Sequence, residues 1–530
     1  MNKHNRVHRH FLFAIILIFI TTVSIAQTDP QTVGVFQNSE GSFNGYTLVA
    51  ASGSYYTHLI DNCGYEINTW ESSLRAGMMA YILDDGSLLR CGNLDSSVFL
   101  GGGRGGAIEK YNWEGDQTWS YSLANDTVHL HHDVEELPNG NILAIAWKHN
   151  STEDAISKGR LPELSAVSVW STYILEIEPT YPEGGNIVWS WDAWDHLVQN
   201  THDSIPNYGL PSDFPRKIDI NYAAEGGTAY SARDWLHSNS IDYNSDLDQI
   251  MISLRGVNEL WIINHNTTTS EAMGESGDLM YRWGNPAAYG RGDVLDQKLF
   301  AQHDCHWIEV GLPNEGEVLI YNNGNNRPEG NYSTVDQIQL PEMEQGQYNI
   351  STNPSDTFFP VEYSWSFPDT LDSEFFSQNV SGAQRLPNGN TLICEGASGH
   401  IFEIDANKEL VWDYINPINT YGTTQQGNAA VFNAVFRSLR YAPESAALQG
   451  HDLSPSAPLE INPYPSDCSI YSGETCLGDF DSNGIISIAD VLLLLSEFGC
   501  LLDCEYVLDS DESISINDVL ILLQLFGSTC

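Results

Sequence analysis

Apolar and polar residues alternate along most of the chain, in short runs separated by turns. Alternation with a period of two is typical of β-strands with one buried face, whereas the 3.6-residue period of a helix is almost absent. One pattern recurs six times: a strand, a short turn rich in Asn, Asp or Gly, and a second strand that ends on tryptophan. The six tryptophans are Trp70, Trp119, Trp189, Trp283, Trp365 and Trp412.

A second set of hairpins lies between these copies, with turns that contain Asp-Gly, Asn-Gly or Asn-Glu-Gly at residues 83–89, 137–143, 312–320 and 386–393. Such turns between alternating apolar residues predict type I′ hairpins, in which both central residues have positive φ. Two hairpins per repeat make four strands. Four-stranded units repeated at intervals of several tens of residues predict an all-β fold, a six-bladed β-propeller. A β-sandwich or a β-helix is the alternative.

The two ends of the repeat region are expected to meet. A propeller usually closes with a strand from the opposite terminus, which leaves no exposed edge. Residues 433–443 are the candidate strand, and we expect them to pair with residues 45–51. A polar, proline-bearing segment follows at 444–467. We therefore assign residues 27–465 to the propeller and residues 466–530 to a separate module.

The N-terminus has the features of a secretory signal peptide at residues 1–26: a basic front, an apolar stretch at 11–20 and small residues at the exit. No later stretch reaches ~18 uninterrupted apolar residues, so we expect no membrane span in the mature chain. The sequence thus predicts a secreted or periplasmic protein. An uncleaved N-terminal anchor is the alternative.

The charge and the cysteines narrow the choice of partners and surroundings. The formal net charge of -48, from 22 basic and 70 acidic residues, argues against a nucleic-acid partner, which needs a basic surface. Five of the nine cysteines lie at or after Cys468. In an exported chain this density predicts disulfides within a small module. The odd total leaves at least one thiol unpaired or bonded to another molecule.

The C-terminal module contains two acidic loops, each followed by an apolar helix. In the first loop, oxygen-bearing side chains alternate around a glycine, which suits calcium. The second loop, at 507–518, has Val507 at its first position and Glu512 in place of the glycine. This pair of loop-helix units resembles dockerin modules, which implies a structural calcium ion and a protein partner. A purely structural acidic loop is the alternative. The predicted calcium ligands are Asp479, Asp481, Asn483, Ser487 and Asp490.

Candidate chemistry lies in the strand-turn-strand run that begins at His237. An imidazole (His237), a carboxamide (Asn239) and a guanidinium (Arg255) together suit a tetrahedral oxyanion. Two other histidine motifs, HLHHDVEELPNGN at 129–141 and AQHDCHW at 301–307, occur at the analogous place in other repeats. The alternative is that these polar residues only cap strands and turns.

These runs, together with SGHIFEIDANKELVWDY, resemble the arylsulfate sulfotransferases over roughly residues 30–460. The resemblance implies a six-bladed propeller that moves a sulfuryl group from a phenolic sulfate ester to a phenol through a sulfohistidine, with no cofactor for catalysis. His237, Asn239 and Arg255 match the family's sulfate-binding run. His303 matches the histidine that becomes sulfated.

Other assignments stay open at this point. The remaining active-site histidine is His131 or His132, with a preference for His132. Arg327 is a second candidate anion contact, and a role in stabilising its turn is equally compatible with the sequence. The segment before residue 45 is too short for the N-terminal β-domain that aids dimerisation in some relatives, so the resemblance gives no support for a dimer.

Two rival interpretations concern a metal site and a different function. His303, Cys305 and His306 could suggest a metal site, but strand alternation would send neighbouring side chains to opposite faces. The rival function is a non-catalytic propeller that binds glycans or proteins and is displayed through its C-terminal module. Only the enzyme requires His237, Arg255 and His303 to converge in one place.

Overall fold

The computed structural model of the protein describes residues 30–165, 167–222, 233–293, 295–344, 346–350, 353, 356–370, 372–464, 468–470, 478, 480, 486–500, 506, 508 and 514–527. The predicted signal peptide lies outside these residues. None of the helices in this part of the chain combines the length and the apolar character needed to cross a bilayer.

Six antiparallel sheets follow one another along the chain, and we call them blades 1 to 6. The first strands of successive blades pack against one another around the centre, and each blade extends outward to its fourth strand. The predicted six-bladed propeller is therefore confirmed. Blade 1 contains Leu439–Tyr441, Tyr46–Val49, Tyr56–Ile60 and Glu66–Glu71; blade 2 Ala76–Ile82, Leu88–Asn93, Gly106–Tyr111 and Gln117–Ser122; blade 3 Val128–Glu136, Ile142–Asn150, Val169–Pro179 and Gly185–Asp192; blade 4 Ser238–Asn244, Gln249–Leu254, Glu259–Asn264 and Tyr281–Trp283; blade 5 His303–Trp307, Val318–Asn322, Thr334–Ile338 and Trp365–Phe367; and blade 6 Gly382–Arg385, Thr391–Glu395, His400–Ile404 and Leu410–Ile415.

Short elements occupy the connections between these strands. Two-residue strands pair as Leu197–Val198 with Ile218–Asp219, Met343–Glu344 with Gln347–Tyr348, and Ile418–Asn419 with Gly422–Thr423. Helical turns are found at Thr152–Ser157, Pro162–Leu164, Ala193–Asp195, Pro211–Asp213, Thr269–Ala272, Glu275–Gly277, Pro286–Tyr289, Gly396–Ser398 and Ala446–Leu448.

The recurrent tryptophans lie on the fourth strands and join each blade to the next. The indole N–H of Trp70 donates to the carbonyl of Asn112 in a turn of blade 2, and that of Trp119 donates to Gly184 in blade 3. Trp189, Trp283 and Trp412 make the corresponding bonds from blades 3, 4 and 6. A large side chain at this position therefore supplies apolar area and also fixes the neighbouring turn.

The predicted closure of the ring is confirmed. Leu439–Tyr441 pairs with Tyr46–Val49, with Tyr441 opposite Tyr46 and Leu439 opposite Leu48. The strand Gly34–Asn38 adds a fifth strand to the outer edge of blade 6 by pairing with Leu410–Ile415. Segments from both ends of the propeller therefore hold blades 1 and 6 together.

The turn type within the predicted hairpins differs from the expectation. Gly86, Gly140 and Gly389 have φ of 78°, 82° and 86°, but the residues before them do not have positive φ, so the turns are not type I′. The side-chain oxygen of Asn139 accepts the backbone N–H of Asn141, and Asp85 and Asn388 bond in the same way. This bond holds the Asx residue in an ordinary conformation and leaves only glycine with positive φ.

The cysteines are only partly paired as expected. Cys468 forms a disulfide with Cys63, in a turn of blade 1, so it joins the segment after the propeller to the propeller itself. Cys500 is also disulfide-bonded. Cys91, Cys305 and Cys394 are buried free thiols within the blades. The inference that at least one thiol stays free is correct, whereas Cys468 does not staple the C-terminal module to itself.

Two helices, Ile488–Ser496 and Ile516–Leu525, follow the acidic loops as the sequence predicts. Each begins with a capping box, made by Ser487 and Asp490 in the first and by Ser515 and Asp518 in the second. The two helices contact each other.

Candidate active site

Bulges on the first strands shape the centre of the propeller. The pairing register shifts at Met78 in blade 2, at His132 in blade 3 and at Asp304 in blade 5, and these residues have φ of 110°, 57° and 54°. A bulge breaks the alternation of side chains, because one extra residue is inserted into the strand. Consequently both His132 and its neighbour Asp133 contact groups from other blades, His237 and Tyr81 respectively.

Three histidines and one phenylalanine meet at this point. The ring centroids of His132 and His237 are 4.9 Å apart, and Phe436 lies 5.8 Å from His132 and 6.4 Å from His303. His131 instead stacks on Trp147 at 4.1 Å. The structure therefore places His132, rather than His131, beside the other two histidines. We call His132, His237 and His303 the histidine cluster.

A glycine-rich segment lies directly over His132. The carbonyl of Gly103 accepts the backbone N–H of His132 at 2.8 Å. A Cβ atom added to Gly103 would lie 1.9 Å from the ring of His132, and Gly103 has φ of 79°. Only glycine fits at this position, because any side chain would displace the imidazole.

His303 is held by a neutral amide. Its Nδ1 lies 2.7 Å from Oδ1 of Asn323, while the Asn323 amide nitrogen donates to the carbonyls of Ser377 and Val380 at 2.8 and 3.0 Å. Because Asn323 can offer only its oxygen, Nδ1 of His303 must carry the hydrogen, and Nε2 keeps its lone pair. Burial, followed by the positive charge of Arg255, lowers the pKa of His303 to about 3.

Arg255 and Asn239 have different surroundings from each other. The backbone N–H of Arg255 donates to the carbonyl of His237, and the positive charge of Arg255 contributes to lowering the pKa of both His132 and His303, after burial. Asn239 is fully buried and its amide nitrogen donates to the carbonyl of Gln302 at 2.8 Å. Asn239 therefore supports the backbone just before His303.

His237 is held by a carboxylate. Its Nδ1 lies 2.5 Å from Oδ2 of Asp234, and the other oxygen of Asp234 accepts the indole N–H of Trp147 at 2.8 Å. The sequence analysis missed Asp234. A carboxylate three residues before His237 could have been recognised as a candidate partner for its imidazole. It also missed Asn323 in blade 5 and Phe436 and Arg437 on the closing segment, which lie far from the histidines along the chain.

A buried guanidinium joins two of the bulges. Arg437 donates from Nη2 to Asp133 at 2.6 Å, and its Nη1 lies 2.9 Å from Oδ1 of Asp304 in an ion pair. Tyr81 donates its hydroxyl to the other oxygen of Asp133. Burial alone would raise the pKa of Asp304, but the charge of Arg437 holds that pKa below its usual range. Since Asp133 follows His132 and Asp304 follows His303, we call this trio the arginine clamp of the histidine cluster.

Arg327 has structural surroundings. Arg327 packs between the rings of Phe300 and Tyr332 and donates to Thr334, contacts that support its turn in blade 5. Within the part of the chain that the structure describes, these contacts do not involve the histidine cluster. Within the described ranges, no group of three or more His, Cys, Asp or Glu side chains is arranged to hold a metal ion.

Two of the five predicted calcium ligands belong to the described residues. The carboxylate of Asp490 is fully buried and accepts backbone N–H groups from Phe480 at 2.7 Å and Ser487 at 2.8 Å. The carboxylate of Asp518 makes the equivalent bonds in the second loop. Asp479, Asp481 and Asn483 lie outside the described residues.

Comparison with known proteins gives one family and a set of distant folds. The family model described as Arylsulfotransferase (ASST) matches residues 79–438. A search of curated proteins gave no match. Among solved structures, the chain is similar to a protein of unknown function from Bacteroides caccae (11% identity, TM-score 0.39, covering 75% of this chain and 100% of that chain). It is also similar to a periplasmic gluconolactonase from Pseudomonas aeruginosa (9%, 0.36, 70% and 83%) and a virginiamycin B lyase from Staphylococcus aureus (12%, 0.31, 73% and 89%).

Proposed function

Because the chain belongs to the arylsulfotransferase family, we propose that it moves a sulfuryl group from a phenolic sulfate ester to a phenol, with His303 as the nucleophile. In the first displacement, Nε2 of His303 attacks sulfur, an N–S bond forms, and the ester S–O bond breaks. The departing phenolate takes a proton from an imidazole of the histidine cluster. In the second displacement, the acceptor phenol returns a proton to that imidazole, its oxygen attacks sulfur, and the N–S bond breaks.

The observation that carries this proposal is the hydrogen bond between His303 and Asn323. A nucleophilic imidazole needs a nitrogen lone pair directed at its target, and the fixed amide of Asn323 leaves that lone pair on Nε2. With a pKa of about 3, His303 is neutral at every pH above about 5. The ring is therefore ready to attack without first losing a proton.

Arg255 supports the same proposal through its charge. A sulfuryl group carries negative charge on its oxygens throughout the transfer, so a preorganised cation stabilises the transition state. The electrostatic effect of Arg255 extends to His303 and His132, and its guanidinium offers a fork of donors to two oxygens at once. In a protein with a net charge of -48, a local cation is needed to receive an anionic donor.

The test is to trap the intermediate. The protein is incubated briefly with 4-nitrophenyl sulfate and no acceptor, quenched at alkaline pH, digested and analysed by mass spectrometry. The added mass of one sulfuryl group should appear on the peptide that contains His303, and His303→Asn should abolish both the label and turnover. His237→Asn should impair turnover and retain slow labelling.

A matched control is His265→Asn, because His265 bonds Glu176 and Asp248 outside the cluster and should label normally. A label on His132 or His237 would contradict the assignment of His303. No label, together with no turnover of any aryl sulfate, would favour the non-catalytic binding propeller.

The remaining proposal concerns the ends of the chain. We propose that the protein is exported and that its C-terminal module binds a structural calcium ion and a protein partner. Calcium would be held by side-chain oxygens of the first loop and would cross-link that loop. The buried carboxylate of Asp490, which faces the loop backbone, and the disulfide at Cys468 support these proposals.

A further inference from the structure

The three histidines of the cluster differ in the group behind each ring. Nδ1 of His303 faces a neutral amide. Nδ1 of His132 lies 2.7 Å from Nδ1 of His131, a second imidazole whose pKa is lowered by burial. Nδ1 of His237 alone in the cluster, as far as the described residues show, faces a carboxylate.

That carboxylate cannot rotate away from His237. Asp234 is 4% exposed, and its second oxygen is held by the indole N–H of Trp147. Trp147 is in turn packed between the ring of His131 at 4.1 Å and that of Phe99 at 5.9 Å. Because an ionised carboxylate only accepts hydrogen bonds, Nδ1 of His237 carries a hydrogen, and Nε2 is the nitrogen that can exchange a proton.

We propose that Asp234 is a positioning residue that makes His237 the proton carrier of the reaction. This inference rests on the proposed sulfuryl transfer. A carboxylate behind an imidazole fixes its orientation and stabilises the positive charge of its protonated form. His303 has no such support and stays neutral, so the two rings divide the work of proton transfer and nucleophilic attack.

The proton balance follows directly. When the N–S bond to His303 forms and the ester bond breaks, the proton on Nε2 of His237 passes to the phenolate oxygen, which leaves His237 neutral. When the acceptor phenol attacks, its proton passes to Nε2 of His237 as the N–S bond breaks. The charged and titratable groups that face His237 are Asp234, His132, His131, His303 and Arg255.

The test compares two donors whose leaving groups differ in basicity. The rate of the first displacement is measured for the wild type and for Asp234→Asn with 4-nitrophenyl sulfate and with phenyl sulfate. A weakly basic leaving group departs without a proton, whereas phenolate, the conjugate base of an acid with a pKa near ~10, requires one. Asp234→Asn should therefore slow phenyl sulfate by about 10²- to 10⁴-fold and 4-nitrophenyl sulfate by less than about 10-fold. An equal loss on both donors, or no loss on either, would overturn the proposal.

A second, partly buried Asp–His pair provides the control. Asp278 lies 2.9 Å from Nδ1 of His196, whose ring stacks on Trp191 at 5.2 Å. Asp278→Asn should leave the ratio of the two donor rates unchanged. A change in that ratio as large as that in Asp234→Asn would overturn the inference, since the effect would then be a general result of losing a buried carboxylate.

The failure of the inference can be told apart from the failure of the proposed function. A wild-type protein that accepts no sulfuryl group from either donor contradicts the function itself. If Asp234→Asn does not fold, as judged by thermal unfolding, the wild-type pH profiles decide. The rate with phenyl sulfate, which requires a proton from the enzyme, should decline on the alkaline side, while the rate with 4-nitrophenyl sulfate should not. Identical profiles for the two donors would overturn the role of Asp234.

Discussion

Replacing Arg437 with methionine is expected to reduce stability and sulfuryl transfer together. The guanidinium bridges Asp133 and Asp304, whose exposed fractions are 0% and 1%. Without it, two carboxylates would remain in the interior, with only the imidazole of His306 beside Asp304 and no cation beside Asp133. The two bulges that present His132 and His303 would also lose the group that connects them.

The size of the effect can be worked out from the contacts. Breaking one buried ion pair by removing a partner costs about 3–5 kcal/mol. Arg437 serves two carboxylates, but Asp133 keeps the hydroxyl of Tyr81 and Asp304 keeps the backbone N–H of Ala383. These remaining donors lower the penalty at each site, so we expect a total loss of about 5 kcal/mol in the free energy of unfolding.

The assay pairs urea denaturation, followed by tryptophan fluorescence, with the rate of sulfuryl labelling per folded molecule. Arg440→Met is the matched control: it lies three residues further along the closing segment and loses an equally buried ion pair with Glu403. It should cost similar stability and leave labelling of the folded protein unchanged. A loss below ~1 kcal/mol in Arg437→Met, or equal loss of labelling in both variants, would refute the reasoning.

Three further outcomes are expected. Arg255→Lys should lower kcat/KM for aryl sulfates by the equivalent of about 2–4 kcal/mol, because an ammonium lacks the fork of donors; a change within a few-fold would remove Arg255 from the site. Calorimetry of the full-length protein should detect calcium binding that largely disappears in Asp479→Ala, and no binding at millimolar calcium would contradict the dockerin-like interpretation. Burial alone would lower the pKa of His400, but hydrogen bonds with Asp413 and Glu395 raise that pKa to about 9. A raised pKa stabilises the fold below the ordinary value of ~6.5, and this contribution is lost as the pH rises through 9. The free energy of unfolding should therefore decrease across that window by on the order of 1–3 kcal/mol, and a slope that persists in His400→Gln would refute the assignment.

The repeat pattern predicted the blades because each tryptophan is part of a local sequence pattern and has the same structural role, contact with the next blade. Trp70 and Trp412 lie on the fourth strands of their blades and bond a turn of the next blade, and Trp119, Trp189 and Trp283 meet the same requirement. The closing strand was also predictable, because residues 433–443 had the right alternation at the right end of the chain.

The parts that the sequence did not predict depend on contacts between distant segments. Positive φ at His132 and His237, 57° and 46°, is rare for residues other than glycine, and nothing in the local pattern requires it. It is set by the register of the neighbouring strands. Asn323 was missed because strand pairing within blade 5 brings it to His303, and Arg437 was missed because closure of the ring brings it to Asp133 and Asp304.

The closing segment has a consequence for when the protein can act. A ribosome delivers His132, His237 and His303 well before it delivers Phe436 and Arg437, yet the latter two complete the packing and the charge balance around those rings. The reactive centre is therefore assembled last, by the same step that seals the ring. An incomplete chain carries all three imidazoles without the packing of Phe436 and the charge of Arg437, so we expect sulfuryl transfer only after synthesis of the propeller has finished.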